Sequence, residues 1–343
     1  MAQALREITT IRVGGEPKEI LSCKTIDDLI QTTLRVWKTG DPWLLLGGGS
    51  NLVVADDVSD LTVIKVETKG IEITDLGSKQ IWKVQAGENW DQLVEATVKA
   101  GLAGFEAMSG IPGTVGAAPV QNIGAYGQEL SDTFLRAEFL DYETYELTVL
   151  EATDIQFGYR DSAIKSGRTG VITWVEFELL NLEGLSRPLY STQIASDLDS
   201  EMGQQLQLEK VRHSVLKLRS AKGMLIDQND PDSLSCGSFF TNPIVSDSFA
   251  RTLPVDAPKW ENAEDDGLTV KLSAAWLIEK AGIEKGYSIP GSKAAISSKH
   301  TLAIVNSGGA TATEVTELAR YVQERVAAKF GVNLVPEPNL IGF

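Results

Sequence analysis

The run SGIPGTVGAAPVQNIGAYG, residues 109–127, constrains the fold more than any other part of this chain. Glycines stand at 110, 113, 116, 124 and 127. The run is too apolar for a solvated linker and too rich in glycine for a regular helix or strand. Glycine permits unusual dihedrals and lets backbone approach backbone. Long loops of this kind are functional or disordered, and this composition argues against disorder. The rest of the chain must therefore frame an ordered loop.

A second cluster, Gly47-Gly48-Gly49-Ser50-Asn51, lies between two apolar runs, 43–46 and 52–54, that read as short strands. A dinucleotide fingerprint needs strand, GxGxxG and then helix. Here the turn joins strand to strand, and no GxxxxGK[ST] occurs. Successive glycines can still present their N–H groups to an anion. A tight hairpin turn is the alternative. Around these loops, residues 25–40 read as a helix capped by Thr25, and Asn89 opens another that ends near Gly101. Further helices are expected at 204–219, 272–281 and 313–330, and strands near 61–66, 81–86, 134–150 and 171–180. An acidic loop is expected at 261–267.

At 343 residues the chain is long enough for two or three domains. Its net charge of −16 leaves no electrostatic footprint for nucleic acid, though local cations and N–H groups can still bind small anions. Residues 1–15 contain no apolar core of signal-peptide length, and no run approaches the length of a membrane span, so a cytoplasmic protein is expected. Cys23 and Cys236 give neither a disulfide framework nor a metal spacing, and no metal is expected. Cys236 reads as a buried structural thiol. Only two histidines, His213 and His300, are present, which disfavours zinc sites and Ser-His-Asp hydrolysis.

Taken in order, TTIRVGG (9–15), LGGGSNLVV (46–54), AGENW (86–90), the 109–127 run, FGYRDS (157–162), CGSFFTNP (236–243) and VPEPNLIG (335–342) resemble the UDP-N-acetylenolpyruvoylglucosamine reductase family. The likeness spans almost the whole chain. It implies an α+β fold, with a two-part FAD-binding domain of the vanillyl-alcohol-oxidase type and an α+β substrate-binding domain. The implied boundaries are 1–70 and 71–223 for the FAD subdomains, 224–330 for the substrate domain, and 331–343 for a returning tail. Residues 181–223 resemble the longer-loop subclass. The implied reaction is NADPH-dependent reduction of UDP-N-acetylglucosamine enolpyruvate to UDP-N-acetylmuramate, in peptidoglycan precursor synthesis. A monomer is expected, with no nucleic-acid or membrane partner.

By the same resemblance, Gly47, Gly48, Gly49, Ser50 and Asn51 cradle FAD together with Ser109, Gly110, Pro112, Gly113, Gly116, Ala117, Asn122, Gly124, Tyr126 and Gly127. The 109–127 run holds no His or Cys, so the flavin is not attached covalently through it. The family often has serine where this chain has Ala117 and Ala118, so backbone contacts must serve there. Ser238 matches the proton donor, Arg160 the arginine beside the substrate carboxylate, and Glu337 the glutamate that polarises the same centre. A planar guanidinium suits a carboxylate gaining enolate character. Tyr159, Tyr190, Arg219, Lys222 and Asn242 match substrate positions, and His300 is a candidate nucleotide contact. Each has a plainer alternative: Ser238 tying a turn, Arg160 pairing with Asp161, Glu337 solvated, Arg219 compensating a helix dipole, His300 structural. Two other functions remain open, an FAD-dependent alcohol or sugar oxidoreductase and a non-catalytic nucleotide-sugar binder.

Overall fold

The computed structural model describes residues 3–261 and 268–343, so the acidic loop expected at 261–267 lies outside the described residues from 262 onward. Strand β1 (Pro17–Cys23) leads into helix α1 (Ile26–Trp37), which begins where the Thr25 hydroxyl accepts the Asp28 N–H. The chain then forms β2 (Trp43–Leu46), β3 (Leu52–Val54), β4 (Val58–Val66), β5 (Ile71–Asp75) and β6 (Lys79–Gln85). Asn89 caps α2 (Trp90–Lys99) through Gln92 N, and β7 (Leu102–Ala103) follows. The glycine-rich run contains a 3-10 turn at Val115–Gln121 and a small hairpin of β8 (Gly124–Ala125) and β9 (Gln128–Glu129). Next come β10 (Phe134–Asp141), β11 (Leu147–Glu151), α3 (Ala152–Ile155), β12 (Gly170–Asn181), α4 (Thr192–Asp197) and α5 (Leu208–Ala221). The remainder holds β13 (Ile244–Ser246), α6 (Asp247–Ala250), β14 (Lys259–Glu261), β15 (Thr269–Leu272), α7 (Ala274–Lys280), β16 (Ala294–Ile296), β17 (Ile304–Asn306), α8 (Ala312–Phe330) and β18 (Asn339–Ile341). The fold is α+β.

Two compact units result. The first takes residues 17–49 and 59–221; the second takes 3–16, 50–58 and 222–343. The first unit holds a three-stranded sheet ordered β1-β4-β2 and a larger sheet ordered β11-β10-β12-β6-β5, with β7 also on β12. β12 is the central strand, and seven of its twelve residues in a row are buried, Val171 to Phe177. That continuous apolar run is what burial on both faces demands. Trp90 and Phe105 meet Phe177 edge to face, with ring centroids 6.2 and 5.1 Å from it, so α2 is fixed against the sheet close to the glycine loop.

The second unit is built around α8, whose Val315, Leu318, Val322 and Val326 are all buried, as their spacing predicts. Phe239 and Phe240, from the CGSFF motif, lie in the same core with Ile11, Val13 and Val53. The TTIRVGG motif has a structural use here. Buried Asn306 donates from Nδ2 to the carbonyls of Ile11 and Arg12, both at 3.1 Å. β3 and β18 pair in parallel, Leu52 opposite Asn339.

Among the elements that differ from expectation, two have a clear physical cause. β5 is exposed at every position, so it carries no alternating pattern by which to recognise it. Helix α5 begins at Leu208, four residues later than expected, because the segment before it runs extended. There Ser186 N donates to Leu206 O at 2.7 Å and Leu189 N to Gln204 O at 3.0 Å.

Candidate active site

The first unit packs the two glycine-rich loops backbone to backbone. A Cβ placed on Gly48 would stand 2.6 Å from Gly113 Cα, and one on Gly47 2.4 Å from Thr114 Oγ1. At Gly48 the close neighbours are backbone atoms, so no side chain larger than hydrogen fits there. Ala117 faces Gly47, 3.6 Å from the place its Cβ would take, while Ala118 is buried in the core. The turn 47–51 is not a hairpin: β2 pairs with β4, and β3 with β18. The N–H groups of Gly47, Gly48 and Gly49 donate to nothing among the described residues. Consecutive unengaged N–H groups in a glycine turn form an anion nest. FAD carries a diphosphate, whose negative charge suits a cradle of this kind.

The far end of the run is held by side chains. Asn122 adopts a left-handed conformation, φ 44°, and is buried. Its Nδ2 donates to Gly158 O at 3.1 Å and its Oδ1 accepts from Ser131 N at 3.0 Å. Arg160, also left-handed at φ 55°, donates from Nη1 to Asn122 O at 3.2 Å and from Nη2 to Gly124 O. Its guanidinium lies 5.4 Å from the Tyr159 ring centre. Asp161, the alternative partner for Arg160, accepts from Ser166 Oγ at 2.9 and 3.0 Å. FGYRDS thus closes onto the end of the glycine run. Gly127 is pressed against Tyr190, since a Cβ there would meet Tyr190 Cβ at 2.7 Å; Tyr190 itself is 67% exposed. Arg219 is buried on α5, where Tyr126 and Asp91 bear on its charge. Tyr126 is left-handed at φ 51°, and burial raises its phenol.

In the second unit, Ser238 and Glu337 stand on adjoining segments. Phe240 bridges Pro336, Glu337 N donates to Phe239 O at 2.9 Å, and Thr241 N donates to Val335 O at 3.0 Å. Asn51 Nδ2 donates to Glu337 O at 3.2 Å. Thr10 Oγ1 donates to Ser235 O at 2.7 Å, and the Cys236 thiol to Leu52 O at 3.3 Å. Burial pushes that thiol up to about 12, which makes it an inert structural group. Ser238 is half-buried, and its hydroxyl has no hydrogen-bond partner among the described residues. Asn242 Oδ1 accepts from Ala274 N at 3.0 Å, at the start of α7. Burial, then Lys222 and Lys285, push His300 down to about 4, so it is neutral at pH 7. Lys285 is a cation that sequence reasoning passed over; nothing in its immediate sequence sets it apart from other surface lysines.

Comparison with known families gives the class of protein. Residues 17–148 match the family model "FAD binding domain". The chain is an FAD-dependent oxidoreductase. Residues 230–341 match the model "UDP-N-acetylenolpyruvoylglucosamine reductase, C-terminal domain". The reductase of that name from Leifsonia xyli subsp. xyli is 49% identical, covering 99% of this chain and 98% of that protein. The one from Thermobifida fusca is 44% identical over 98% and 96%. The crystal structure of the reductase from Thermus caldophilus is similar at 26% identity with a TM-score of 0.66, covering 99% and 97% of the two chains. This chain belongs to the UDP-N-acetylenolpyruvoylglucosamine reductase family.

Proposed function

We propose that this chain reduces UDP-N-acetylglucosamine enolpyruvate to UDP-N-acetylmuramate at the expense of NADPH, supplying a peptidoglycan precursor. What carries this reading is the adjoining placement of Ser238 and Glu337 by the Phe240–Pro336 bridge. Held by the 47–51 and 109–127 loops, FAD would supply the hydride chemistry, drawing on NADPH and acting at the terminal enolpyruvyl carbon. The carbon next to the carboxylate then carries carbanion character and needs a proton.

Ser238 supplies that proton from its Oγ. A hydroxyl is a weak acid, but it can protonate so strong a base, and this one is engaged by no other group among the described residues. The alternative of a serine tying a turn has no bond to support it. The buried rings of Phe239 and Phe240 anchor the segment, so the hydroxyl is positioned by the core. Arg160 receives the substrate carboxylate. Its guanidinium is already oriented by two backbone carbonyls, which fix its direction without neutralising its charge. Fixed charge aimed at developing negative charge is a main source of rate. Glu337 polarises the same centre.

Tyr159, Tyr190, Arg219, Lys222, Asn242 and His300 hold the nucleotide sugar. The amide nitrogen of Asn242 serves this role while its oxygen is engaged at α7. Gly47–Gly49, Ser50, Asn51 and the 109–127 run hold the FAD without a covalent bond. We also place the division between two flavin subdomains near residue 70, between the two sheets of the first unit. Among the described residues no helix is long and apolar enough to cross a membrane. We also propose a cytoplasmic monomer with no membrane or nucleic-acid partner; the net charge of −16 favours the last of these.

The test is spectroscopic. Purified protein should show a flavin spectrum, acid precipitation should release all of it as FAD, and NADPH oxidation should require the enolpyruvyl sugar. Equal NADPH oxidation without the sugar, or with a simple alcohol in its place, overturns the proposal.

A further inference from the structure

The AGENW motif, continued by Asp91, runs along one side of the glycine-rich loop and is bonded to it repeatedly. Gly116 N donates to Ala86 O at 2.8 Å and Val115 N to Glu88 O at 2.9 Å. Trp90 N donates to Gly113 O at 3.1 Å, and Trp90 Nε1 to Met108 O at 3.2 Å. These bonds secure both flanks of the 109–112 corner. Within the corner, Ile111 N makes only a long 3.5 Å bond, to Met108 O. Gly110 sits at φ 73° and donates its N–H to Asp91 Oδ1 over 2.6 Å. That contact is short, as expected when the acceptor is charged.

Asp91 is itself held in place. Arg212, on α5, grips both carboxylate oxygens at 2.6 and 3.0 Å. A two-point Arg–carboxylate pair fixes the carboxylate in orientation as well as position. Burial alone would raise the Asp91 carboxyl, but Arg212 and the Gly110 N–H outweigh it and keep it below the usual carboxylate range. Asp91 therefore stays ionised, and Arg212 cancels a charge that would otherwise oppose an anion bound at the loop.

We propose that Asp91 is a positioning residue for the flavin: it sets the Gly110 corner of the cofactor loop through its bond to the Gly110 N–H. This rests on residues 109–127 being the flavin loop. A merely structural role would be served by the Asp91–Arg212 ion pair alone, and then the Gly110 bond would not matter to the cofactor. The two roles separate by substitution. Asp91→Asn keeps an acceptor for Gly110 while losing the charge. Asp91→Ala removes both.

The experiment is titration of flavin-free protein with FAD, followed by quenching of flavin fluorescence, beside hydrogen exchange of the 105–115 segment without flavin. Wild type is the first arm, and failure of wild type to take up FAD would sink the flavin assignment rather than this proposal. Asp91→Ala should raise the FAD Kd by roughly 10- to 100-fold, the range for losing a hydrogen bond to a charged group. It should also speed exchange at the corner. Asp91→Asn should stay within about three-fold of wild type in Kd, although both variants lose the ion pair and thermal stability with it. If Asp91→Ala does not fold, Asp91→Ser serves in its place, because its hydroxyl is one atom too short to reach Gly110. An unchanged Kd in the Ala or Ser variant, or an Asn variant as weak as the Ala variant, overturns the proposal.

Discussion

The side-chain amide of Asn51 donates to the carbonyl oxygen of Glu337 across 3.2 Å, although the two residues are 286 positions apart in sequence. The parallel pairing of β3 and β18 begins directly beyond this bond, so Asn51 fixes the start of the Glu337 segment. Losing one such bond is worth about 1 kcal/mol, or roughly five-fold in rate if Glu337 drifts from its working position. In FAD-saturated protein, Asn51→Ala should therefore slow flavin reoxidation by the enolpyruvyl sugar about five-fold more than it slows reduction by NADPH. Stopped-flow absorbance reads both halves. Equal slowing of the two halves would mean that the amide serves the cofactor alone.

Ser238→Ala should separate the same two halves more sharply. Bleaching by NADPH needs no proton from Ser238 and should persist. Reoxidation by the sugar should fall by about 10²–10⁴, the usual cost of removing a positioned proton donor. Ser238→Cys should keep part of the activity, since a thiol also donates. Normal reoxidation in the alanine variant would leave Ser238 a structural residue.

Gly48→Ala introduces a methyl group 2.6 Å from Gly113 Cα, a backbone atom that can yield only if the cofactor loop moves. Overpacking of this kind costs about 1–3 kcal/mol. The variant should purify with little flavin. Gly77→Ala is the control, since Gly77 has φ 82° but open space around it. It should lose stability through its backbone yet keep its flavin. The ratio of visible to ultraviolet absorbance decides between them, and a fully yellow Gly48→Ala protein would remove Gly48 from the cradle.

Lys222→Ala should raise KM for the sugar with little change in kcat. A diphosphate contact is made alike in ground and transition states, so its loss weakens binding more than chemistry. An unchanged KM would show that Lys222 does not touch the substrate.

His300 should make folding stability depend on pH. The unfolded chain protonates it below about 6.5, whereas the folded protein does so only near 4. Between those values the unfolded state binds more protons, so stability rises with pH. The contribution is complete above 6.5 and is lost as pH falls towards 4, on the order of 3 kcal/mol in all. Denaturation of wild type and of His300→Gln across this range should diverge accordingly. Parallel curves would show that burial and the nearby Lys222, Lys285 and Glu279 leave His300 an ordinary histidine.

Much of this was legible from residues because local chemistry and burial agree. Thr25 and Asn89 cap the helices they were expected to open, and the apolar stripe of α8 faces a core. The glycine runs were recognisable as loops, and their mutual packing explains why glycine is needed in both. What stayed hidden depends on partners distant in sequence. Nothing in AGENWD announces that Asp91 will meet Gly110 and Arg212. Arg219 read as a basic helix end, and only the packing of α5 shows it buried. β5 escaped because an exposed edge strand buries nothing, and the register of α5 shifted because residues 204–207 found main-chain partners before the helix could begin.

The parallel pairing of β3 with β18 also bears on the order in which the protein is made. A ribosome releases residues 17–49 and 59–221 with every strand of the first unit's sheets present, so that unit can condense while synthesis continues. The second unit cannot. β3 and the 9–15 segment emerge early and must wait, unpaired, until β18 and Asn306 arrive some 290 residues later. During that interval Val53 and Ile11 are exposed apolar residues in search of a core. A nascent chain stalled before residue 337 should therefore be open to protease at its second unit, although both glycine-rich loops already exist, and Glu337 reaches its place only after the first unit has been made.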